Sequence, residues 1–126
     1  MTLVAVVAAA VVGFIGSGIY YTVLDGALEA ARTDTSTSPA RPWTYGVEFA
    51  RTLVIAAVMA GVASVAGIGS WLGGMALGLA LWVGFPLMLW VGAILHEGTN
   101  PSLAAIHAGD WLVKLAIIGV IVGAWI

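Results

Sequence analysis

Between Leu3 and Leu24 the chain carries no charged residue. A helix of about 20 apolar residues crosses roughly 30 Å of hydrocarbon, so this run is long enough to span a bilayer. No water is present at that depth to bond the backbone, and a spanning segment must satisfy its own N–H and C=O groups by forming a helix. Three further apolar stretches follow, Val47–Gly67, Trp71–Leu95 and Pro101–Trp125. Composition points the same way. Only 8% of the 126 residues are charged, against roughly 25% in soluble domains. The expected fold is an all-α integral membrane protein, a four-helix transmembrane bundle with short connections. It forms one domain over residues 1–126, with spans 3–24, 47–67, 71–95 and 101–125.

A cleaved signal peptide is the competing reading of the first run. No Lys or Arg precedes that run, however, and it exceeds a typical hydrophobic region of about 7–15 residues. It is read as a retained span, with Tyr20 and Tyr21 near the interface where aromatic rings settle. Asp25–Arg32 is expected to extend that helix into water, with Glu29 and Arg32 three apart on one side. Thr33–Pro39 is polar and aperiodic, hence a loop, and Trp43 and Tyr45 mark the return to the membrane surface. The second and third spans are joined by Gly67, Ile68, Gly69 and Ser70, a link so short that its helices must be antiparallel. Pro86 removes a backbone donor in mid-span and crowds the carbonyl of Trp82, so a kink is expected there. Asn100 followed by Pro101 is a strong start for the last helix.

Orientation follows from the basic residues. Arg32, Arg41 and Arg51 cluster around the first connection, and no other loop carries Lys or Arg. The positive-inside rule places that loop and the His96–Pro101 loop in the cytoplasm, with both termini outside.

Two charged residues stand inside the last span. An ionised Asp or Lys at a helix centre costs about 2.5–3.5 kcal/mol on insertion scales, so such residues face protein or water and are functional suspects. At about 100° per residue, His107, Asp110 and Lys114 fall within roughly 60° of one another on one helix face. Asp110 and Lys114 are spaced to meet. The plain interpretation is an intrahelical ion pair that fixes packing. The sharper one is a relay for a proton or cation, with His107 at its mouth. Glu48 and Arg51, in the first turn of the second span, are expected at the depth of Glu97 and His107. They form either an interfacial salt bridge or part of one polar pocket, in which Arg51 pairs with Glu97 or Asp110.

Other chemistries find little support. The absence of cysteine rules out disulfides and thiolate sites. His96, Glu97, His107 and Asp110 offer nitrogen and oxygen ligands, but their spacing matches no zinc signature. Bis-histidine haem ligation is also poorly served, because His96 lies in a loop. No serine has a GxSxG context. Four basic residues provide no footprint for nucleic acid. No cofactor or metal is expected, and no enzymatic activity. Small residues are the other abundant signal. Gly119 and Gly123, Gly74 and Gly78, and Gly69 and Gly73 each repeat the four-residue spacing that lets membrane helices approach closely. Ala105, Ala108, Gly109 and Ala116 are expected on the same face as Gly119 and Gly123.

Four segments carry a family resemblance: GFIGSGIYYTVL from Gly13, LWVGFPL from Leu81, the His96-Glu97-Gly98 turn with its following Pro101, and IHAGDWLVKLAIIGVIVGAW from Ile106. From Gly13 to Trp125 the chain resembles the bacterial membrane family known as domain of unknown function 1761. The resemblance implies a four-helix inner-membrane fold and no particular activity. By that pattern position 107 would hold Asn, 110 an aromatic and 114 a small or neutral residue, where this chain has His107, Asp110 and Lys114.

The functional expectation is a small multi-pass protein of the bacterial inner membrane, an oligomer with a polar intramembrane site for a proton, ion or small solute. The alternative is an accessory subunit that docks on a larger membrane complex. A haem- or metal-binding enzyme is the remote third reading.

Overall fold

The computed structural model describes residues 2–31 and 42–125. Among these residues the order is α1 (Thr2–Val23), α2 (Asp25–Ala31), α3 (Pro42–Ala66), α4 (Trp71–Gly84), α5 (Pro86–Glu97) and α6 (Pro101–Trp125), with no strand. Leu3–Val23, Pro42–Ala66, Trp71–Glu97 and Pro101–Trp125 are each long and apolar enough to cross a membrane. The chain is an all-α membrane protein of four spans.

Several boundaries differ from those the sequence suggested. The second span starts at Pro42 instead of Val47, so Trp43 and Tyr45 are helical. A proline is tolerated at the start of a helix, where its missing N–H would have no partner in any case. Glu48 and Arg51 therefore lie in the second and third turns of α3, deeper than the first turn expected for them. The first span does not run unbroken into the helix that follows it. It breaks at Leu24, whose N–H bonds the carbonyl of Tyr20, and α2 then packs against α6. The expected pairing of Glu29 with Arg32, the Thr33–Pro39 loop, and Arg32 and Arg41 lie outside the described residues.

Two left-handed glycines and one irregular phenylalanine set the remaining turns. Gly67 has φ of 73°, and behind it Ile68 N–H bonds the carbonyl of Ala63 at 2.9 Å and Gly67 N–H that of Ser64 at 3.3 Å. This closes α3 in a Schellman motif. Ser70 then caps α4, accepting from Gly73 N–H at 3.0 Å. The third span is interrupted at Phe85 (φ −124°, ψ −76°), with Pro86 opening α5. Gly98, at φ 67°, ends α5. Asn100 opens α6, its side chain accepting from Ser102 N–H at 2.8 Å.

α6 is the central helix, in contact with all the others. One core joins Val6, Ala9 and Ala10 of α1, Ala56, Met59, Ala60 and Ala63 of α3, and Leu115, Ile118 and Val122 of α6. Alanine dominates two of the three surfaces because lipid is as apolar as leucine. Association inside a bilayer rests on close packing rather than on escape from water.

α4 meets α6 more closely still. A Cβ placed on Gly74 would strike the Gly119 carbonyl oxygen and lie 2.9 Å from the Cα of Gly123. On Gly78 it would strike the carbonyl of Leu115, on Gly119 that of Gly74, and on Gly123 that of Ser70. These four glycines form one backbone-to-backbone seam. The other small residues do not all join it. Gly69 borders open space, Gly73 meets only Ile68 and its own cap Ser70, Ala105 is exposed, and Gly109 lies against Tyr20 of α1. A four-residue repeat supplies the spacing of such a seam, but helix rotation decides which repeat faces a neighbour.

Candidate functional site

α3 and α5 do not touch. Between them, with α1 and α6 behind, lies a cavity of about 830 Å³ lined by the lower halves of these helices and by Asp25 at the head of α2. α1 runs antiparallel to α6, which sets the end of one beside the start of the other. At about 1.5 Å per residue from Pro101, His107 lies about 9 Å, Asp110 about 14 Å and Lys114 about 20 Å along α6. Depth therefore sorts the polar groups into layers.

The deepest layer is Asp110 with Lys114. Both residues are almost wholly buried, at 4% and 3% exposure, with Lys114 Nζ 3.6 Å from Asp110 Oδ2. The ammonium also sits 5.2 Å from the ring centroid of Trp111. Ser17 of α1 donates to Asp110 Oδ1 at 2.5 Å. The carboxylate thus has one oxygen bonded and the other facing a cation.

One turn nearer the loops, the Tyr21 hydroxyl and His107 Nδ1 are hydrogen-bonded at 2.8 Å. Trp90 of α5 stacks on the imidazole, with centroids 5.1 Å apart and planes 13° from parallel. Trp90 Nε1 is buried and has no hydrogen-bond partner. Across the cavity Arg51 Nη1 bonds Glu48 Oε1 at 2.5 Å, and both side chains are about half exposed. So Arg51 pairs with neither Glu97 nor Asp110. An i, i+3 partner on its own helix is already within reach, whereas Glu97 is exposed at the end of α5 and does not line the cavity.

Two clamps hold α6 at the depth that aims these groups inward. Tyr20 OH donates to the carbonyl of Ile106 at 2.7 Å, and Trp82 Nε1 donates to that of Ala108 at 2.8 Å. Trp82 and Trp90 therefore face protein rather than lipid. On α1, Phe14 meets Phe49 of α3 edge to face, with ring centroids 5.8 Å apart.

Of the residues singled out from sequence, His107, Asp110, Lys114, Glu48 and Arg51 share the cavity and Glu97 does not. His96 is exposed beside Glu97, so the ligand set His96, Glu97, His107 and Asp110 is split between the α5 end and the cavity. Among the described residues no three His, Asp or Glu side chains gather as a metal site would require. Sequence reasoning missed Ser17, Tyr21, Trp90 and Trp111. A signal existed for two of them. Ser17 and Tyr21 are four apart on an otherwise apolar helix, so their polar atoms share a face.

Among known families, the one described as "Protein of unknown function (DUF1761)" matches residues 4–123. No curated protein matches the chain, and no solved structure does.

Proposed function

The chain belongs to the DUF1761 family, whose function is unknown, and we propose that its working part is the polar cavity, a water-accessible intramembrane site for a small solute or proton. One observation carries this reading. A buried carboxylate and ammonium form the floor of a cavity large enough for a small molecule, and hydroxyls of the first span, the Trp90 indole of the third and the His107 imidazole of the same helix line it. Small-molecule sites occupy about 300–1,000 Å³ and combine apolar walls with a few convergent polar groups. A pair serving packing alone would need no such opening. The proposed role is binding or passage without covalent chemistry. We place the protein in a bacterial inner membrane with both termini outside, so that the cavity opens to the cytoplasm.

The lack of native cysteine makes the test direct. Ser17→Cys and Thr22→Cys should be modified by an impermeant thiol reagent in inside-out vesicles and spared in intact cells. Val11→Cys, exposed on α1 away from the cavity, should stay unmodified in both. An unreactive Ser17→Cys and Thr22→Cys in either orientation refutes the cavity. Reaction in intact cells alone reverses the orientation and leaves the cavity standing.

A second reading, an oligomer or an accessory subunit of a larger complex, draws on the third span. About half of its residues are exposed, and outside the glycine seam only Pro86 is fully buried. Particle mass after extraction in native lipid separates these: a multiple of the chain mass supports an oligomer, and a larger co-extracted protein an accessory role.

A further inference from the structure

The charges on the cavity lining do not balance. Asp25, Glu48 and Asp110 stand against Arg51 and Lys114, with His107 neutral in the formal count. Two of these acids already have a cation: Lys114 Nζ is 3.6 Å from Asp110 Oδ2, and Arg51 holds Glu48. Asp25, exposed at the head of α2 on the loop side of the cavity, has no ion-pair or hydrogen-bond partner among the described residues. The rest of that connection does not alter the count, because Glu29 and Asp34 offset Arg32 and Arg41. A cleft with surplus negative charge concentrates cations.

Two further features say which kind of cation. The rings of Phe14, Tyr21, Tyr45, Trp90 and Trp111 line the cavity, and aromatic faces attract cations that have shed part of their water. Trp111 already does so, with Lys114 Nζ 5.2 Å from its ring centroid. A metal ion would find no set of three His, Asp or Glu ligands among the described residues, whereas aromatic walls suit an organic cation. The second feature is Trp90 Nε1–H, buried without a partner. Buried donors left unbonded are costly and therefore rare. A ligand oxygen that accepts from the indole removes that cost.

We propose that the cavity binds a small organic monocation that carries a neutral hydrogen-bond acceptor. This rests on the reading of the cavity as a water-accessible site. The cation draws on the uncompensated charge of Asp25 and on the rings of Phe14, Tyr21 and Tyr45, and its acceptor oxygen takes the Trp90 indole N–H. The Asp110–Lys114 pair forms the floor with its own charges matched and changes neither. An anion is disfavoured, because Arg51 and Lys114 are each held by an acid and Asp25 repels it.

The test titrates four probes calorimetrically into the full chain in neutral maltoside micelles near neutral pH. 1-Methylnicotinamide is a ring cation with a carboxamide carbonyl, and N-methylpyridinium is the same cation without the carbonyl. Benzamide keeps the carbonyl without the charge, and benzenesulfonate is an anion on a ring. 1-Methylnicotinamide should bind about tenfold more tightly than benzamide, and benzenesulfonate should not bind. N-methylpyridinium should bind about fivefold more weakly than 1-methylnicotinamide, the worth of one hydrogen bond. Trp90→Phe keeps a ring against His107 and removes the donor, so it should abolish that gap. Asp25→Asn removes only the charge and should weaken both cations about threefold. Glu97→Gln, at an exposed acid that does not line the cavity, should change neither. Benzamide or benzenesulfonate bound as tightly as the cations overturns the proposal. So does a carbonyl gap that survives Trp90→Phe, or cation binding that Asp25→Asn leaves unchanged. If no probe binds while Ser17→Cys is still labelled from the cytoplasmic side, the open cavity stands and this account of its occupant falls.

Discussion

Removing either member of the Asp110–Lys114 pair should cost more than removing both. At 3.6 Å and an effective dielectric of about 20, the mutual attraction of unit charges is about 5 kcal/mol. A second estimate comes from the chemistry of a stranded group. A lone carboxyl at pH 7, about 3 units above its ordinary pKa near 3.9, can be neutralised for about 4 kcal/mol. Both agree with the 3–5 kcal/mol typical of broken buried pairs. Lys114→Met should therefore destabilise by about 3–4 kcal/mol. It leaves Asp110 only the Ser17 hydroxyl, whose 2.5 Å bond holds the penalty toward the lower end. Asp110→Asn should cost somewhat less, about 2–3 kcal/mol, because the stranded ammonium keeps its contact with the Trp111 ring. The Asp110→Leu/Lys114→Met double variant should come within about 1 kcal/mol of the parent, since apolar groups of similar volume need no partner. The assay is reversible unfolding in mixed micelles, with all four proteins measured as a double-mutant cycle. Single variants within about 0.5 kcal/mol of the parent would mean both side chains are fully hydrated. A double variant less stable than either single would show that the pair is not mutually compensating. A functional role leaves a separate trace: the double variant should regain stability while any cellular phenotype of the single variants stays unrescued.

Glycine substitutions should separate the seam from the lipid face. Gly74→Ala sets a methyl against the Gly119 carbonyl, where backbone and not a side chain must yield, and should destabilise by about 3 kcal/mol or more. Gly61→Ala meets nothing within 4 Å and should be neutral or stabilising by up to about 1 kcal/mol through helix propensity; the same micelle unfolding assay checks both, and equal effects would refute the seam. Tyr20→Phe removes the hydrogen bond to the Ile106 carbonyl and should cost about 0.5–1.5 kcal/mol, with hydrogen exchange accelerated at the start of α6; unchanged exchange would show that the clamp does not hold that turn.

How much of this could be read from the chain alone depends on whether the cause was local. Hydrocarbon imposes a helix on any long uncharged run, so four spans and an all-α fold follow from residue order without any tertiary contact. Pro86 at the interruption, Asn100 at the head of α6 and Gly67 behind α3 act within one turn of themselves and were equally legible. The same holds for Asp110 and Lys114, whose four-residue spacing already sets the two charges side by side.

What only the tertiary structure decided is which faces meet. Periodicity is silent about this in a chain that is apolar all round, because no polar stripe marks the outside. Gly74–Gly78 and Gly69–Gly73 look alike as strings, and the rotation of α4 sends the first pair into α6 and leaves the second at the helix start. Arg51 could have reached for a partner on another helix, but the exposed position of Glu97 and the nearness of Glu48 removed that choice. Ser17, Tyr21 and Trp90 carry no charge to announce them. They became part of the site only because α1 packs antiparallel to α6 and the break at Phe85 sets α5 where its indole lies flat on His107. The cavity itself belongs to no segment. It exists because α3 and α5 each pack on what lies behind them and not on one another, and that separation is fixed only once all four spans are in place.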